Sequence, residues 1–466
     1  MLHVIRRTAL AQLQSLLRGF LLDCSVPFGS VLTVKDLLDL LRQELAETGE
    51  RIFTPLVTLC TFLSQIHSDD PSCRAAVARL NATRVAHGLP PCSPLTGGYC
   101  KARQRLPESV LQRLLSLSGQ RLQQQTPATW QWYGRAVKIV DGSAVSMPDT
   151  EDNQQAYPQP GSQAAGLGFP VARLVVLVSL ACGAVVGTAV GRLKGKQTSE
   201  NMLFHSLHAQ LERDDVVLAD RYYCSYWEIT LLGRRGIDVV MRLHQRRQVD
   251  FRQGRQLGGE DHVVRWTKPI RPAWMDEATY AVLPATIEIR ELRVRVPQPG
   301  FRTRVVLVAT TLLDATAFPK EALAGLYRAR WHAELDLRSI KQTMQMDVLR
   351  CKTPEMVRKE IWGHLLVYNL LRAAMAQAAL RHGALPRQLS LQGARQTLEA
   401  FRSQLSQPSP TQREGVIQIV LNAIARHRVG ARPGRYEPRA CKRRPKPYPL
   451  LRVPRQQARE RLAKAA

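Results

Sequence analysis

The chain has 466 residues, enough for two or three domains with ample core. Its net charge of +28 and pI near 10.4 point to a polyanionic partner, since neutralising phosphates releases counterions. Nine cysteines, an odd number with no Cys-x2-Cys pair, exclude a zinc ribbon and a disulfide framework and read as reduced cytosolic thiols.

The opening MLHVIRRTALAQLQSLLRGFLL is interrupted by Arg6, Arg7 and Arg18 and carries no small-residue cleavage site, so it reads as no signal peptide. Residues 1–125 read as helical, with LTVKDLLDLLRQELAETGE and SVLQRLLSLSGQRLQQQ amphipathic and loops at Pro71 and Pro90-Pro91. Lys101, Arg103 and Arg105 give this region a basic strip suited to DNA phosphates, or equally a solvated helix face; no strict helix-turn-helix signature and no internal repeat is visible. Next comes AVKIVDGSAVSM, an apolar run ending in Asp141 followed by Gly and Ser, as at the exposed end of a buried strand. LVVLVSLACGAVVGTAVGRL predicts two strands folded about Cys182-Gly183; its uncharged stretch approaches a membrane span in length, but β-branched density and the central turn favour a hairpin. SENMLFHSLHAQL predicts a helix, whose His205 and His208 read as ordinary surface or core histidines without acidic or thiolate companions in a recognised metal pattern. DVVLAD closes a further strand on Asp220 and leads through a turn into a helix, and DVVMRLH is the next strand.

Residues 244–300 read as a mainly β insertion rich in basic text, RLHQRRQVDFRQGRQ and TIEIRELRVRVP, in which Arg242 (just ahead of it), Arg246 and Arg247 suit phosphates. Trp266 and Trp274 are its aromatics; an exposed ring can stack on an extruded base, whereas a β-core tryptophan does not. The segment YRARWHAELDLRSIK then predicts one helix on which Tyr327, Arg330, Glu334 and Lys341 lie within roughly 60° of one another. Leu326, Ala333, Leu337, Ile340 and Met344 fall on the adjoining face, so the helix can pack on a core while presenting a mixed-charge stripe. Such charges alone also suit a solvated face with i,i+4 ion pairs. With Asp141 and Asp220, however, Glu334 makes three carboxylates from two strand ends and one helix, a set that suits a pair of hard cations in phosphoryl transfer. Residues 376–425 read as a helical C-terminal region. The tail, 426–466, carries fourteen lysines and arginines against two glutamates, a net +12, and its proline content predicts an extended or partly disordered segment.

The order of strand with Asp, hairpin, helix, strand with Asp, helix, strand and later helix with Glu is that of an α/β, ribonuclease-H-like fold: a mixed sheet with flanking helices. On these residues the chain resembles the DDE transposases of bacterial insertion sequences, of the insertion-sequence-four type marked by Tyr-x2-Arg-x3-Glu-x6-Lys. Tyr327, Arg330, Glu334 and Lys341 match that spacing without a gap, Asp141 the acid of the D-G-S/T strand and Asp220 that of the D-R strand. The likeness is specific over about 130–375 and looser at SPLTGGYCKARQRLP and RPGRYEPRACKRRPKPYPLL.

The resemblance implies a helical DNA-binding domain at 1–125 and a ribonuclease-H-like catalytic domain at 126–375, interrupted by the β insertion. It implies Asp141, Asp220 and Glu334 as catalytic ligands of two Mg²⁺, with Mn²⁺ as a substitute, and Tyr327, Arg330 and Lys341 on phosphates beside the scissile bond. It further implies nicking, hairpin formation and opening, strand transfer into target DNA, a homodimer holding two element ends, and a tryptophan of the insertion that stabilises a flipped base. The expected location is the bacterial cytoplasm, at the nucleoid. Three other readings use parts of the same text. A nuclease of the same fold would cleave without strand transfer, a transposase-derived regulator would bind DNA indifferently to loss of the acids, and an RNA-binding protein of ribosomal basicity would need no strand-end aspartates.

Overall fold

The protein is described by a computed structural model covering residues 2–22, 27–44, 52–195, 198–295, 305–405, 410–430 and 449–465. Six helices precede the first strand: α1 (Leu2–Gly19), α2 (Val34–Glu44), α3 (Pro55–His67), α4 (Cys73–Ala86), α5 (Gly97–Arg105) and α6 (Glu108–Gln124). Thr54 and Ser72 cap α3 and α4 by accepting from Val57 and Ala75 N–H, and a proline opens α3 at a position where its missing N–H costs nothing.

Nine strands then form one continuous sheet: β1 (Val137–Ser146), β2 (Val171–Ser179), β3 (Val185–Arg192), β4 (Val216–Ala219), β5 (Asp238–Arg242), β6 (Arg255–Gly258), β7 (Asp261–Thr267), β8 (Thr286–Arg295) and β9 (Val305–Thr310), in the order β3-β2-β1-β4-β5-β9-β8-β7-β6. β1, β4 and β5 are parallel and the remaining pairs antiparallel. The uncharged run is therefore the hairpin β2–β3, turned at Gly183 with φ +78°, a conformation open to glycine. Among the described residues no helix is long and apolar enough to cross a membrane.

Between the strands lie α7 (Glu151–Ala156), α8 (Glu200–His205), α9 (Tyr226–Gly233) and α10 (Glu277–Ala281). After β9 come α11 (Lys320–Ala329), α12 (Trp331–Arg338), α13 (Pro354–Arg381), α14 (Leu391–Ala400), α15 (Arg402–Leu405), α16 (Pro410–Arg426) and α17 (Arg455–Ala465). The helix expected over YRARWHAELDLRSIK is thus two helices stepping at Arg330, followed by a π turn over Ser339–Thr343. Of the basic tail, residues 431–448 and 466 lie outside the described residues, and Arg455–Ala465, expected to be extended or partly disordered, is the helix α17.

The expected insertion is not a body apart. β7 and β8 extend the sheet, and β9, just beyond it, hydrogen-bonds to β5 on one side and β8 on the other, so its strands continue the sheet formed by β1 to β5. Nor do cores divide at the expected boundaries. One apolar cluster runs from Leu13 in α1 through Leu122 in α6, Val145, Val176 and Val185 in the sheet, to Leu365 in α13 and Leu421 in α16. The boundary at 375 falls inside α13, a 28-residue helix buried nearly all round, as expected for the central helix of a core. It packs on the α6 and β3 side of the sheet, where Asn369 spans the irregularity between β2 and β3. Its Oδ1 accepts Val185 N–H at 2.8 Å, and its Nδ2 donates to Val185 O at 2.9 Å and Ser118 Oγ at 3.1 Å. Close approach there requires glycine: a Cβ on Gly119 of α6 would stand 2.2 Å from Val185 O.

Candidate active site

Along β1, alternate residues face opposite sides of the sheet. Val137 and Ile139 pack with Leu323, Leu326 and Ala333 of α11 and α12, whereas Val140 packs with Phe204 of α8 and Leu207 just after it. Asp141 is on the α12 side. It is in mid-strand rather than at the strand end expected from the sequence: β1 continues to Ser146 against β2. Its parallel pairing with β4 stops at Ile139, however, so Asp141 stands where the sheet opens beyond the carboxyl end of β4. Asp220 is the first residue after β4, and its Oδ1 accepts Tyr222 N–H at 2.7 Å in a tight turn. Asp220 thus stands at the carboxyl end of β4, and Asp141 beside it on the neighbouring parallel strand β1, at the edge where open α/β sheets bind their ligands.

Glu334, on the first turn of α12, completes the cluster through Arg330. The guanidinium lies 2.7 Å from Glu334 Oε1 and 4.0 Å from Asp141 Oδ2. Burial pushes the Asp141 carboxyl up to about 6; Arg330 and the Gly142 N–H oppose this, and the negative charges of Glu334 and Asp220 add to it. Asp141 therefore feels both other acids, though burial is the main reason its carboxyl resists ionisation. Hard-oxygen donors with unmet negative charge fit divalent cations such as Mg²⁺.

The other signature residues are placed differently from one another. Tyr327 is buried in the apolar layer beneath α11, its hydroxyl pKa raised by that burial and lowered in part by nearby Arg330 and Arg242. Lys341 reaches from the π turn to β1, donating to Ala144 O at 2.8 Å and Ser143 Oγ at 3.3 Å, three and two residues beyond Asp141. Arg242 ends β5, half-buried on the Tyr327 side.

Arg246 is exposed in the turn that follows. Arg247 is drawn inward: its guanidinium lies 3.6 Å from the centre of the Trp266 ring. Trp266 is 3% exposed and donates Nε1–H to Glu291 at 2.9 Å, so it is a core residue, while Trp274 is exposed with its ring against His205. Lys101 is exposed on α5, but Arg103 is a correction. At 9% exposure its guanidinium packs over Phe62 and Tyr99 and donates to Cys73 Sγ, in the interior rather than on a DNA-facing strip.

Two contributors escaped the sequence reading. Glu200, in the first turn of α8, lies so close to β1 that a Cβ on Gly142 would stand 2.6 Å from its carboxyl carbon. It is a fourth carboxylate beside the site, its pKa raised first by burial, against Arg173, and then by Asp220. The signal was Gly142 itself, read as a turn glycine though it marks close approach within a strand. Asp336, half a turn beyond Glu334 and buried, is gripped by Arg372 of α13 and by Arg387 at 2.8 Å; Arg387 also donates to Ser179 O at 2.7 Å. Those arginines are too far along the chain for spacing to pair them with Asp336. His205 and His208, expected to lack an acidic companion, both meet one in Glu228.

Comparison with known proteins gives the family. The transposase DDE domain family matches residues 132–370, which include Asp141, Asp220 and Glu334. The chain is 29% identical over 354 residues to the transposase InsG for insertion sequence element IS4 of Escherichia coli (strain K12), covering 75% of this chain and 77% of that protein. A looser likeness, with a TM-score of 0.43 and 9% identity over 88% of this chain and 85% of the other, is to the piggyBac transposase in a synaptic complex with hairpin DNA, and plays no part in the assignment. The family match spans half of the chain and contains the strand and helix acids described above, and the chain belongs to the DDE transposases, of the type of insertion sequence IS4.

Proposed function

We propose that the chain moves an insertion sequence by cut-and-paste transposition, with Asp141, Asp220 and Glu334 as the catalytic carboxylates of a ribonuclease-H-like core. The observation that carries the reading is that Asp141 and Glu334 meet at Arg330, while Asp220, at the carboxyl end of the adjacent β4, is near enough for its charge to raise the Asp141 pKa. The strand order β3-β2-β1-β4-β5, with β2 antiparallel and β1, β4 and β5 parallel, supports the ribonuclease-H-like description.

The three carboxylates would hold two Mg²⁺, which when bound supply an activated attacking oxygen and a stabilised leaving oxygen for in-line displacement at phosphorus. The chain's own residues do the positioning. Arg330, held by Glu334 at the mouth of the site, offers a planar fork for a phosphate beside the scissile bond. Lys341 fixes the π turn to β1 and can exchange its contacts with Ala144 O and Ser143 Oγ for a phosphate oxygen. Tyr327 buttresses Arg330 from beneath. Arg242, Arg246 and Lys101 extend the cationic track for duplex DNA.

By the family resemblance, hydrolysis at each element end releases a 3′ hydroxyl, which attacks the opposite strand to close a hairpin. A second water opens the hairpin, and the freed 3′ hydroxyl attacks target DNA. Each event exchanges one phosphoester bond for another or for a P–OH. A homodimer in the bacterial cytoplasm pairs the two ends, with residues 1–125 on element-end DNA and 126–375 around the chemistry.

The test is element-end DNA on a supercoiled plasmid with Mg²⁺ or EDTA, products being resolved on denaturing gels. Glu334→Gln keeps the shape but removes a ligand charge: it is expected to abolish nicks, hairpins and joined products while retaining end binding. Undiminished cleavage by this variant overturns the site assignment; binding without cleavage by the wild type favours a DNA-binding regulator.

A further inference from the structure

Glu228 is 1% exposed, in the first turn of α9, and among the described residues its ion-pair partners are two imidazoles. His205 Nε2 lies 2.7 Å from one carboxylate oxygen and His208 Nε2 2.6 Å from the other. His205 ends α8 and His208 opens the 3-10 turn His208–Gln210, and each turns its Nε2 to a different oxygen of the one carboxylate. Ser225-Tyr226-Trp227-Glu228 has the text of a capping box, yet only half is made. Ser225 Oγ accepts Glu228 N–H at 3.1 Å, whereas Ser225 N–H goes to Tyr223 O, and the Glu228 carboxylate turns away to the histidines. Both oxygens of a carboxylate withdrawn from water thus face an imidazole nitrogen, a cluster of donor atoms rather than a solvated acid.

We propose that His205, His208 and Glu228 form a binding site for a borderline transition-metal cation of the Zn²⁺ class, separate from the catalytic carboxylates, with water as a fourth ligand. Two imidazole nitrogens and a carboxylate oxygen are a donor set zinc prefers and magnesium does not. The ligand atoms all lie within 4.8 Å of one another. Tetrahedral zinc, with ligand bonds of about 2.0–2.1 Å, needs separations near 3.3 Å, so the imidazole–carboxylate gaps open by well under an ångström while the widest separation, within 4.8 Å, closes by up to about 1.5 Å. Each Nε2 must turn a lone pair to the cation: a neutral ring shifts its proton to Nδ1 by exchange with solvent, and a charged ring releases one. The edge of Phe204 against His208 and the Trp274 ring 4.7 Å from His205 wall the site and limit water. The cation would clip α8 to α9, the two helices that flank the Asp220 turn in the chain, with Trp274 bringing the far end of the sheet against the clip.

The experiment uses full-length protein stripped with EDTA, dialysed, and titrated with Zn²⁺ against a chromophoric chelator in saturating Mg²⁺. One equivalent of Zn²⁺ per chain, undisplaced by Mg²⁺ and accompanied by a rise in Tm, is expected. Glu228→Gln and His208→Ala should each weaken uptake at least tenfold. X-ray absorption at the zinc edge of the loaded wild type, which needs no variant to fold, should show two imidazoles. No uptake by the wild type, uptake undiminished in both variants, or an all-oxygen shell overturns the proposal.

Discussion

Asp141 is held charged against its surroundings at neutral pH. Its folded pKa of about 6 stands above the ordinary 3.8, so the folded state binds this proton more tightly than the unfolded chain. The sign follows: the cost is absent below the unfolded value, grows as pH rises between about 4 and 6, and is fully present above 6. Asp141→Asn is therefore expected to raise the stability of the metal-free protein at pH 8, by on the order of 1–3 kcal/mol, with the gain shrinking below pH 6 and vanishing below 4. Urea denaturation in EDTA across this range checks it; a pH-independent difference would separate the effect from this ionisation. Saturating Mg²⁺ should reverse the ranking at pH 8, because only the wild type then meets a cation with a full ligand set.

The helix that carries Glu334 is fixed from behind rather than from the site. Asp336→Ala would leave Arg372 and Arg387 with no carboxylate in a buried setting, and is expected to cost about 3–5 kcal/mol in chemical denaturation. A loss under about 1 kcal/mol would mean that backbone acceptors such as Ser179 O suffice for the arginines. The chemistry of this helix was legible in its sequence, since Arg330 and Glu334 meet at i,i+4 as their spacing says. Its step was not. YRARWHAEL contains no glycine or proline, and Arg330 keeps helical angles (φ −52°, ψ −34°) while the hydrogen bonds around it shorten to Arg330 N–H on Tyr327 O and Ala333 N–H on Arg330 O.

Alternation likewise revealed β structure in the insertion, but not that β8 and β9 join the catalytic sheet, because that pairing links β5 to a strand more than sixty residues away. Asp141 and Asp220 were legible because each follows an apolar run; the length of β1 beyond Asp141 was hidden by Gly142 and Ser143, which read as a turn. Arg103 was misread for a reason of period. Residues two apart share a face on a strand but lie about 200° apart on a helix, and α5 turns Arg103 inward where Lys101 is exposed.

At the scale of the whole molecule, charge rather than shape predicts the behaviour toward DNA. The net +28 is unevenly shared, and residues 431–466 hold twelve lysines and arginines against two glutamates. If that segment lies on DNA, truncation after Gly430 should lower the slope of log K against log salt by several units, at about 0.9 for each phosphate no longer neutralised. Fluorescence anisotropy with labelled element-end DNA at graded salt measures this; an unchanged slope would assign the phosphate-binding cations to the rest of the chain. The apolar cluster joining α1 to β1, β2, β3 and α16 makes the complementary point that the helical region before β1 and the sheet should unfold together.

The alternation along β1 has a last consequence. Ile139 and Asp141 face α11 and α12, while Val140 and Gly142 face α8, with Glu200 filling the space a side chain on Gly142 would need. Whether this molecule has an active site is in that respect a question of odd or even. A substitution near Asp141 weakens the carboxylate's setting by degrees. Gaining or losing one residue between Val137 and Asp141 would instead exchange the two sides at a stroke, delivering the acid to Glu200 and the glycine to Arg330. The reading frame of the gene has three phases; this strand has two, and only one of them places the Asp141 carboxylate on the side of Arg330 and Glu334.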